Sequence, residues 1–205
     1  MVNAVSKNIE CGNCGKKLKV TMLNCINVTL NPKLRKMILK NDLFYFYCDR
    51  CKKKIRVLYP FLYHDMNNDF MIYFLPDEIK EKSETDFLQI YPEIINIPKR
   101  IVNSVSMLKE EILILENKLS DDVVYAIKFA LTQILKKNSL KSIEGYFYGL
   151  SKINKDLKFI FFIDKKVVYK KVNFDIYNEL SQLNANKLEE SNFIELDKTF
   201  KRKII

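Results

Sequence analysis

Residues 9–17 read IECGNCGKK, and residues 46–56 read FYCDRCKKKIR. Each stretch holds two cysteines separated by two residues, and the two stretches together contain four of the five cysteines of the chain. Two such pairs, each at the tip of a β-turn, can hold Zn²⁺ tetrahedrally through four thiolates at about 2.3 Å. The pattern predicts one structural zinc ion, with the ligands Cys11, Cys14, Cys48 and Cys51.

Other uses of these four thiols are a redox dithiol, a pair of disulfides, or plain reduced cysteines. A redox dithiol needs only one pair, and disulfides are disfavoured in a cytosolic chain with an odd cysteine count. With four sulfur ligands the metal has no open position for a catalytic water, so the pattern favours a scaffold over zinc hydrolysis. Glycine accepts a positive φ, so Gly12 and Gly15 suit the turn of the first pair.

The chain is basic, with a formal net charge of +10. Lysine accounts for 30 of the 35 basic residues, and arginine is the residue that bidentate phosphate contacts favour, so the total charge alone is weak evidence for nucleic-acid binding. The distribution is more informative, because residues 1–76 hold 13 basic and 5 acidic side chains while residues 77–205 hold 22 and 20. A phosphate-binding patch near the cysteines is therefore one hypothesis, with the members Lys33, Lys36, Lys40, Arg50, Lys52, Lys53, Lys54 and Arg56.

The pattern along the chain predicts an α+β fold with two domains, residues 1–76 and residues 77–205. The first combines short β-type runs with a helical insert, NPKLRKMILKN, in which Asn31 is a natural N-cap and Pro32 suits the first helical position. Asn41 is expected to end this helix, and Leu34, Met37 and Ile38 are expected to share its apolar face. We therefore expect a zinc-ribbon-like β domain that carries one short amphipathic helix.

The second domain is predicted to begin with a helical hairpin over about residues 97–138, since apolar residues recur at alternating spacings of four and three from Ile101 to Leu119. Ser120 is expected to cap the second helix of this hairpin, whose apolar residues cover more than one face and predict that it is the buried member. Three strands are expected over about residues 143–174, in the runs IEGYFYGL, LKFIFFID and KKVVYKKVNF, and a further helix over about residues 176–190, followed by a last strand or tail.

The sequence resembles the CpXC family of small bacterial zinc-ribbon-like proteins, which is named for a C-P-x-C knuckle. The resemblance rests on the two C-x2-C pairs, on INVTLNPKLRKMILKNDL between them and on YPFLYHDMNNDFMIYFLP after them, with a looser match in LKEEILILENKLSDDVVYAIKF. The chain departs from the family motif at Gly12 and Asp49, where proline would stand, and at Lys52, where glycine is usual. Membership implies zinc binding through the four paired cysteines and implies no established activity.

His64 and Asp65 form the one adjacent histidine–carboxylate pair, and His64 is the only histidine of the chain. A carboxylate can orient a histidine as a general base, but neighbouring residues on a strand point to opposite faces, which favours a structural histidine. Cys25 lies in an alternating apolar run and is expected to be a small buried strand residue. In LFYFYC, residues 43–48, one aromatic pair is expected to face outward, where it packs against another domain or stacks on bases.

We therefore expect a zinc-binding, non-enzymatic binding module that acts in protein interaction or assembly, with a protein partner or self-association. Nucleic-acid binding through the basic patch is the alternative, and an enzyme is third because no convergent set of acid, base and nucleophile can be assembled. No apolar run suits a signal peptide or a membrane span, so we expect a cytoplasmic protein without a membrane partner.

Overall fold

A computed structural model describes residues 4–77, 97–136, 142–185 and 194–195. These residues form two compact units. The first comprises residues 4–77, 97–105 and 194–195, and the second comprises residues 106–136 and 142–185. Each unit combines helices with a β-sheet, which confirms the predicted α+β class.

The first unit is mainly β. Its elements are strands β1 (Ala4–Glu10), β2 (Lys17–Leu23) and β3 (Cys25–Asn27), helix α1 (Pro32–Leu39), a 3-10 turn (Asp42–Phe44), strands β4 (Tyr45–Tyr47), β5 (Lys54–Arg56), β6 (Phe61–Asp65), β7 (Phe70–Phe74) and β8 (Lys99–Val102), and, after the second unit, β12 (Ile194–Glu195). Strands β1 and β2 form one antiparallel hairpin, and β4 and β5 form another. The remaining strands form a five-stranded sheet in the order β12-β8-β7-β6-β3, in which only β6 and β7 run antiparallel.

Helix α1 has the boundaries that the sequence predicts. Pro32 is its first residue, Asn31 stands at the N-cap position, and Asn41 lies beyond its end in the left-handed region with φ of 68°. Leu34 and Ile38 are buried, as expected for an amphipathic helix, whereas Met37 remains exposed. The helix therefore rests on the first unit by a narrow apolar stripe, with its lysines on the outside.

Aromatic rings form the core between the hairpin of β4 and β5 and the five-stranded sheet. The ring of Phe44 lies 6.2 Å from that of Phe61 and 5.7 Å from that of Phe74, and the rings of Phe61 and Phe74 are 5.2 Å apart. All three side chains are buried. This packing fixes the start of β4, and with it the position of the second cysteine pair, against the sheet.

The second unit places helices against an antiparallel meander. Its elements are α2 (Val105–Glu116, whose first residue belongs to the first unit), α3 (Asp121–Lys136), β9 (Ile143–Leu150), β10 (Leu157–Ile163), β11 (Lys166–Val172) and α4 (Phe174–Ala185). The sheet order is β11-β10-β9, and Phe147, Phe159 and Phe161 are buried on one of its faces. The three predicted strands and the predicted helix after them are thus present, and α4 begins two residues earlier than expected.

Two expectations for the helical hairpin are wrong. Its first helix begins at Val105 and not near residue 97, because Lys99–Val102 form a strand that pairs in parallel with β7. The more buried helix is α2 and not α3, because the charged residues Glu110 and Glu111 of α2 are buried as well as its apolar stripe. The first unit therefore extends past the boundary predicted at residue 76.

Strand β1 was not predicted from the sequence, and its side chains are almost all exposed. Among the residues described, no helix is both long enough and apolar enough to cross a membrane.

Candidate metal centre

The two cysteine pairs lie at the tips of the two small hairpins. Cys11 and Cys14 belong to the turn between β1 and β2, and Cys48 and Cys51 belong to the turn between β4 and β5. Each pair therefore follows one strand and precedes its antiparallel partner. A β-turn between paired strands holds both of its cysteines on one side, which is the arrangement a metal knuckle requires.

Two backbone hydrogen bonds of the first turn recur at the equivalent positions of the second. In the first, the amide of Cys11 donates to the Lys16 carbonyl oxygen at 2.9 Å, and the amide of Gly15 donates to the Cys11 carbonyl oxygen at 2.8 Å. In the second, the corresponding bonds join Cys48 to Lys53 at 2.9 Å and Lys52 to Cys48 at 2.8 Å. The two turns are therefore repeats of one local structure, despite a gap of 33 residues and different sequences.

The residue after the second cysteine adopts the left-handed conformation in both turns. Gly15 has φ of 68° and Lys52 has φ of 58°. Glycine takes this conformation without strain, whereas lysine carries a Cβ penalty of about 1 kcal/mol. Of the two glycines singled out in the first turn, only Gly15 needs its freedom, since Gly12 has no positive φ. The departure from the family motif at Lys52 leaves the backbone of the knuckle unchanged.

The four sulfur atoms lie within 4.8 Å of one another. The Sγ atoms of Cys11 and Cys51 are 3.7 Å apart, as are those of Cys14 and Cys48. Four ligands placed tetrahedrally at about 2.3 Å from one ion stand roughly 3.8 Å apart, so the spacing fits a metal ion at the centre. A disulfide requires about 2.05 Å between sulfurs, and none of the cysteines of the chain is in one.

The electrostatic environment differs among the thiols. A hydrogen bond from the Lys53 amide lowers the pKa of Cys51 to about 6, so the backbone of the second turn favours its thiolate. The Lys16 amide acts in the same way on Cys14, but burial and the neighbouring thiols outweigh it and raise the pKa of Cys14 to about 11. Four thiols packed this closely cannot all ionise without a cation, so a divalent metal is the natural counter-charge.

An ion pair that the sequence did not reveal links the two turns. Lys16 Nζ of the first turn lies 2.7 Å from Asp49 Oδ2 of the second, and the hydrogen bond to Lys16 lowers the pKa of Asp49. Both side chains are exposed, so solvent screens their attraction and the pair contributes little to stability. Asp49 stands where the family motif has proline. This departure was the only feature of the sequence that could have indicated the ion pair.

The side chains of the predicted basic patch are all exposed. Two of them lie on α1, one is the C-cap residue of that helix, and five belong to the turn and strand of the second hairpin; in chain order they are Lys33, Lys36, Lys40, Arg50, Lys52, Lys53, Lys54 and Arg56. Lys54 Nζ lies 4.0 Å above the ring of Tyr45 as a cation–π contact, and the neighbouring Tyr47 is exposed. In the aromatic run, Phe44 faces the core and Tyr47 faces outward.

His64 and Asp65 are not arranged as a catalytic pair. Asp65 Oδ1 accepts hydrogen bonds from the amides of Asn67 and Asn68, and its Oδ2 accepts one from the Asn68 side chain at 2.8 Å. The carboxylate is thereby engaged in the turn between β6 and β7. His64 lies on β6, inside the five-stranded sheet, and burial lowers its pKa despite the nearby carboxylates.

Cys25, the fifth cysteine, lies apart from the metal cluster. It is half-buried on β3, where it packs against Leu62 and Met71, and burial raises the pKa of its thiol. The strand placement agrees with the expectation, but the side chain is half-buried and not fully buried as expected.

Comparison with known proteins gives one match. The family model described as CpXC protein matches residues 9–128, which is more than half of the chain. The matched segment includes both cysteine pairs, helix α1 and helix α2. No curated protein and no solved structure matches the chain.

Proposed function

This chain belongs to the CpXC family, and from that premise we propose that its four paired cysteines hold one structural zinc ion in a non-enzymatic binding protein. The observation that carries the proposal is the closed cluster of four thiols at the tips of two hairpins. Four sulfur ligands in a tetrahedral arrangement are typical of structural zinc, and they leave no position for a reacting water.

The need for such an ion follows from the size of the hairpins. Within the part of the chain that the structure describes, β1 and β2 pair only with each other, and β4 and β5 have three residues each. An isolated two-stranded hairpin is marginally stable in water. A metal ion that joins the two tips therefore supplies stability that these hairpins do not have alone.

Metal analysis of protein purified without added zinc tests this step. Mass spectrometry is expected to find one zinc ion per chain. The presence of iron in its place would refute the choice of metal, and the absence of any metal would refute the site. The ratio of nucleic-acid to protein absorbance of the same sample gives a first test of the alternative described below.

For the partner, we propose a protein that contacts an exposed apolar patch of the first unit, formed by Leu30 and Met66. Leu30 is 67% exposed and Met66 is 51% exposed. Their backbones are held together, because the Leu30 amide donates to Asn27 Oδ1 and the Met66 amide donates to Thr29 Oγ1. The Asn27 side chain also donates to the Met66 sulfur at 3.1 Å. A fixed pair of large apolar side chains suits a protein contact, and methionine adapts its shape to a partner.

Site-specific photocrosslinking in cells tests this surface. A photoreactive residue at position 30 or 66 is expected to give one discrete adduct, either with a partner or with a second copy of the chain. The same residue at Lys19, which is exposed on β2, is the control. Equal labelling at all three positions would refute a contact at the patch.

A second candidate, nucleic-acid binding, is favoured by the exposed basic side chains of the second hairpin. Five lysine and arginine residues lie within residues 50–56, and the exposed ring of Tyr47 is adjacent to them. Such a cluster can follow a phosphate backbone, with affinity that falls steeply as salt is added.

Substitution of Lys52, Lys53 and Lys54 by alanine tests this candidate. Binding of a labelled oligonucleotide is expected to weaken, and the slope of log K against log salt is expected to flatten by about 0.7–0.9 for each phosphate that the variant no longer neutralises. The triple substitution of Lys33, Lys36 and Lys40 separates the contribution of α1. Unchanged binding and slope in both variants would exclude the basic patch.

A further inference from the structure

The meander of the second unit has one open face. Neighbouring residues of a strand point to opposite faces, and Phe147, Phe159 and Phe161 are buried on the inner one. The register places Tyr146 opposite Ile160, Ile160 opposite Tyr169, and Phe162 opposite Val167 on the outer face. Of these large side chains, Phe162, Val167 and Tyr169 are exposed, whereas Tyr146 and Ile160 are half-buried.

Aromatic rings dominate this outer face. Tyr169 is 62% exposed and Phe162 is 44% exposed. The rings of Tyr148 and Tyr169 are 5.9 Å apart and nearly perpendicular, as are those of Tyr146 and Phe162 at 6.4 Å. An edge-to-face pair leaves one ring face free for a further planar group. Tyr146 is half-buried, and Lys128 Nζ lies 5.9 Å from the centre of its ring, so the exposed rings of this platform are those of Tyr148, Phe162 and Tyr169.

The platform is surrounded by positive charge. Residues 142–172 contain seven lysines and three acidic residues, a net of +4. Lys158 and Lys171 lie opposite each other, and Lys158 Nζ is 5.2 Å from the centre of the Tyr148 ring. Further exposed lysines lie in the two turns of the meander and at the start of β11, namely Lys152, Lys155, Lys165 and Lys166. The net charge of residues 77–205 as a whole is small, because acidic residues elsewhere in that region offset these lysines.

We propose that this outer face of β9, β10 and β11 binds single-stranded nucleic acid, with bases stacked on the tyrosine and phenylalanine rings and phosphates held by the surrounding lysines. Every base has a π-face, so ring stacking accepts any sequence, and lysine at the rim supplies the backbone contacts. A duplex keeps its bases inside the stack and can use only the lysines. The charge also argues against a second copy of the chain as the occupant, since two faces of net +4 repel each other.

The experiment measures binding of a fluorescein-labelled oligo-dT strand of about 20 nucleotides by anisotropy, with a duplex of the same length as comparison. Tyr148→Ala and Tyr169→Ala are each expected to weaken single-strand binding by roughly 5- to 100-fold, the range expected for loss of one stacked base. Leu183→Ala is the control for an exposed apolar side chain, because Leu183 lies on α4. Duplex binding is expected to change by less than about threefold in both tyrosine variants.

A second set of variants tests the lysines, with the substitutions Lys158→Gln and Lys171→Gln. Lys136→Gln on α3 is the control, because it removes the same charge away from the platform. Each platform substitution is expected to lower the salt slope of single-strand binding by about 0.7, and the control is expected to leave it unchanged. The meander belongs to the second unit and the basic hairpin to the first, so the Lys52, Lys53 and Lys54 variant reports separately on the hairpin.

Three outcomes would overturn the proposal. One is single-strand binding by both tyrosine variants with the affinity of the unsubstituted protein. Another is a preference for the duplex, which would mean phosphate attraction without stacking. The third is a concentration-dependent dimer in sedimentation that Tyr169→Ala dissociates, which would assign the face to a second copy of the chain.

Discussion

Replacement of Cys48 by serine tests the metal centre most directly. Cys48 is buried, its sulfur lies 3.7 Å from that of Cys14, and its amide anchors the second turn to Lys53. Structural zinc sites of this kind contribute about 10–16 kcal/mol at neutral pH, which divides to roughly 2.5–4 kcal/mol for each of four thiolates. A serine hydroxyl is a poor substitute, so we expect zinc affinity to fall by roughly 10²- to 10³-fold.

The assay is competition with a chromophoric chelator, followed by amide exchange. Cys48→Ser is expected to release its zinc at a chelator concentration that leaves the unsubstituted protein loaded. Exchange is expected to speed up at the amides of Gly15 and Lys52, because both report the turns around the metal. Helix α3 is expected to keep its protection, because its buried residues include no metal ligand.

Cys25→Ser is the matched control. It makes the same chemical change at a half-buried thiol outside the cluster, so zinc affinity is expected to stay within about threefold of the unsubstituted protein. If Cys48→Ser also stays within that range, the four-thiolate site and the role assigned to it are wrong.

Three further predictions concern the rest of the fold. A Cβ at Gly145 would lie 2.3 Å from the Phe161 ring, so Gly145→Ala is expected to lower the free energy of unfolding in urea by about 1–3 kcal/mol. An unchanged urea midpoint would contradict this packing. Lys128 Nζ lies 2.7 Å from the buried Glu110 carboxylate, so Lys128→Met is expected to lower the free energy of unfolding by about 3–5 kcal/mol. A decrease below about 1 kcal/mol in the same assay would count against a stabilising ion pair. Burial lowers the pKa of His64, so this imidazole binds a proton more weakly in the folded state than in the unfolded state. The stability of the folded state is therefore expected to fall as the pH drops below about 6.5. The test measures the urea midpoint of the zinc-loaded protein between about pH 7.5 and about pH 5.5. The midpoint is expected to fall less steeply in His64→Gln than in the unsubstituted protein, and equal falls would refute the assignment to His64.

Elements with strong local signals could be predicted from the sequence. Helix α1 has a proline at its first position and a left-handed asparagine beyond its end, and both features act within one turn of chain. Strand β9 corresponds to the predicted segment IEGYFYGL residue for residue. In each case the residues that determine the conformation are neighbours in sequence.

Elements that depend on distant partners could not be predicted. Strand β1 has mainly exposed side chains and gains its conformation from pairing with β2. In α2, Glu110 is 1% exposed yet looks like a surface residue in the sequence, because the groups that satisfy it lie far along the chain. Its carboxylate accepts hydrogen bonds from Lys128 and from the Phe147 amide at 2.7 Å. A buried charge is tolerated when such partners surround it, and sequence patterns do not reveal them.

In the candidate site, too, some features could be predicted from the sequence and others could not. The four thiols were identifiable because two C-x2-C pairs are a specific signal. The ion pair of Lys16 and Asp49 and the left-handed Lys52 were not, since each depends on the geometry of the assembled turns. Glycine was expected where the backbone needs it, but a lysine takes the same conformation in the second turn.

The charge of the two hairpins bears on the choice between the proposed functions. Residues 10–19 and 48–56 together carry eight basic and two acidic side chains, and the proposed zinc ion with four thiolates would add about −2. About +4 remains after the metal site is counted, so the lysines exceed what the thiolates need for balance. A purely structural knuckle requires no such excess. The surplus is therefore available to an anionic partner, and the salt dependence of the Lys52, Lys53 and Lys54 variant separates that use from charge compensation. Loss of zinc affinity without loss of oligonucleotide binding would assign these lysines to the metal, and the reverse would assign them to a phosphate backbone.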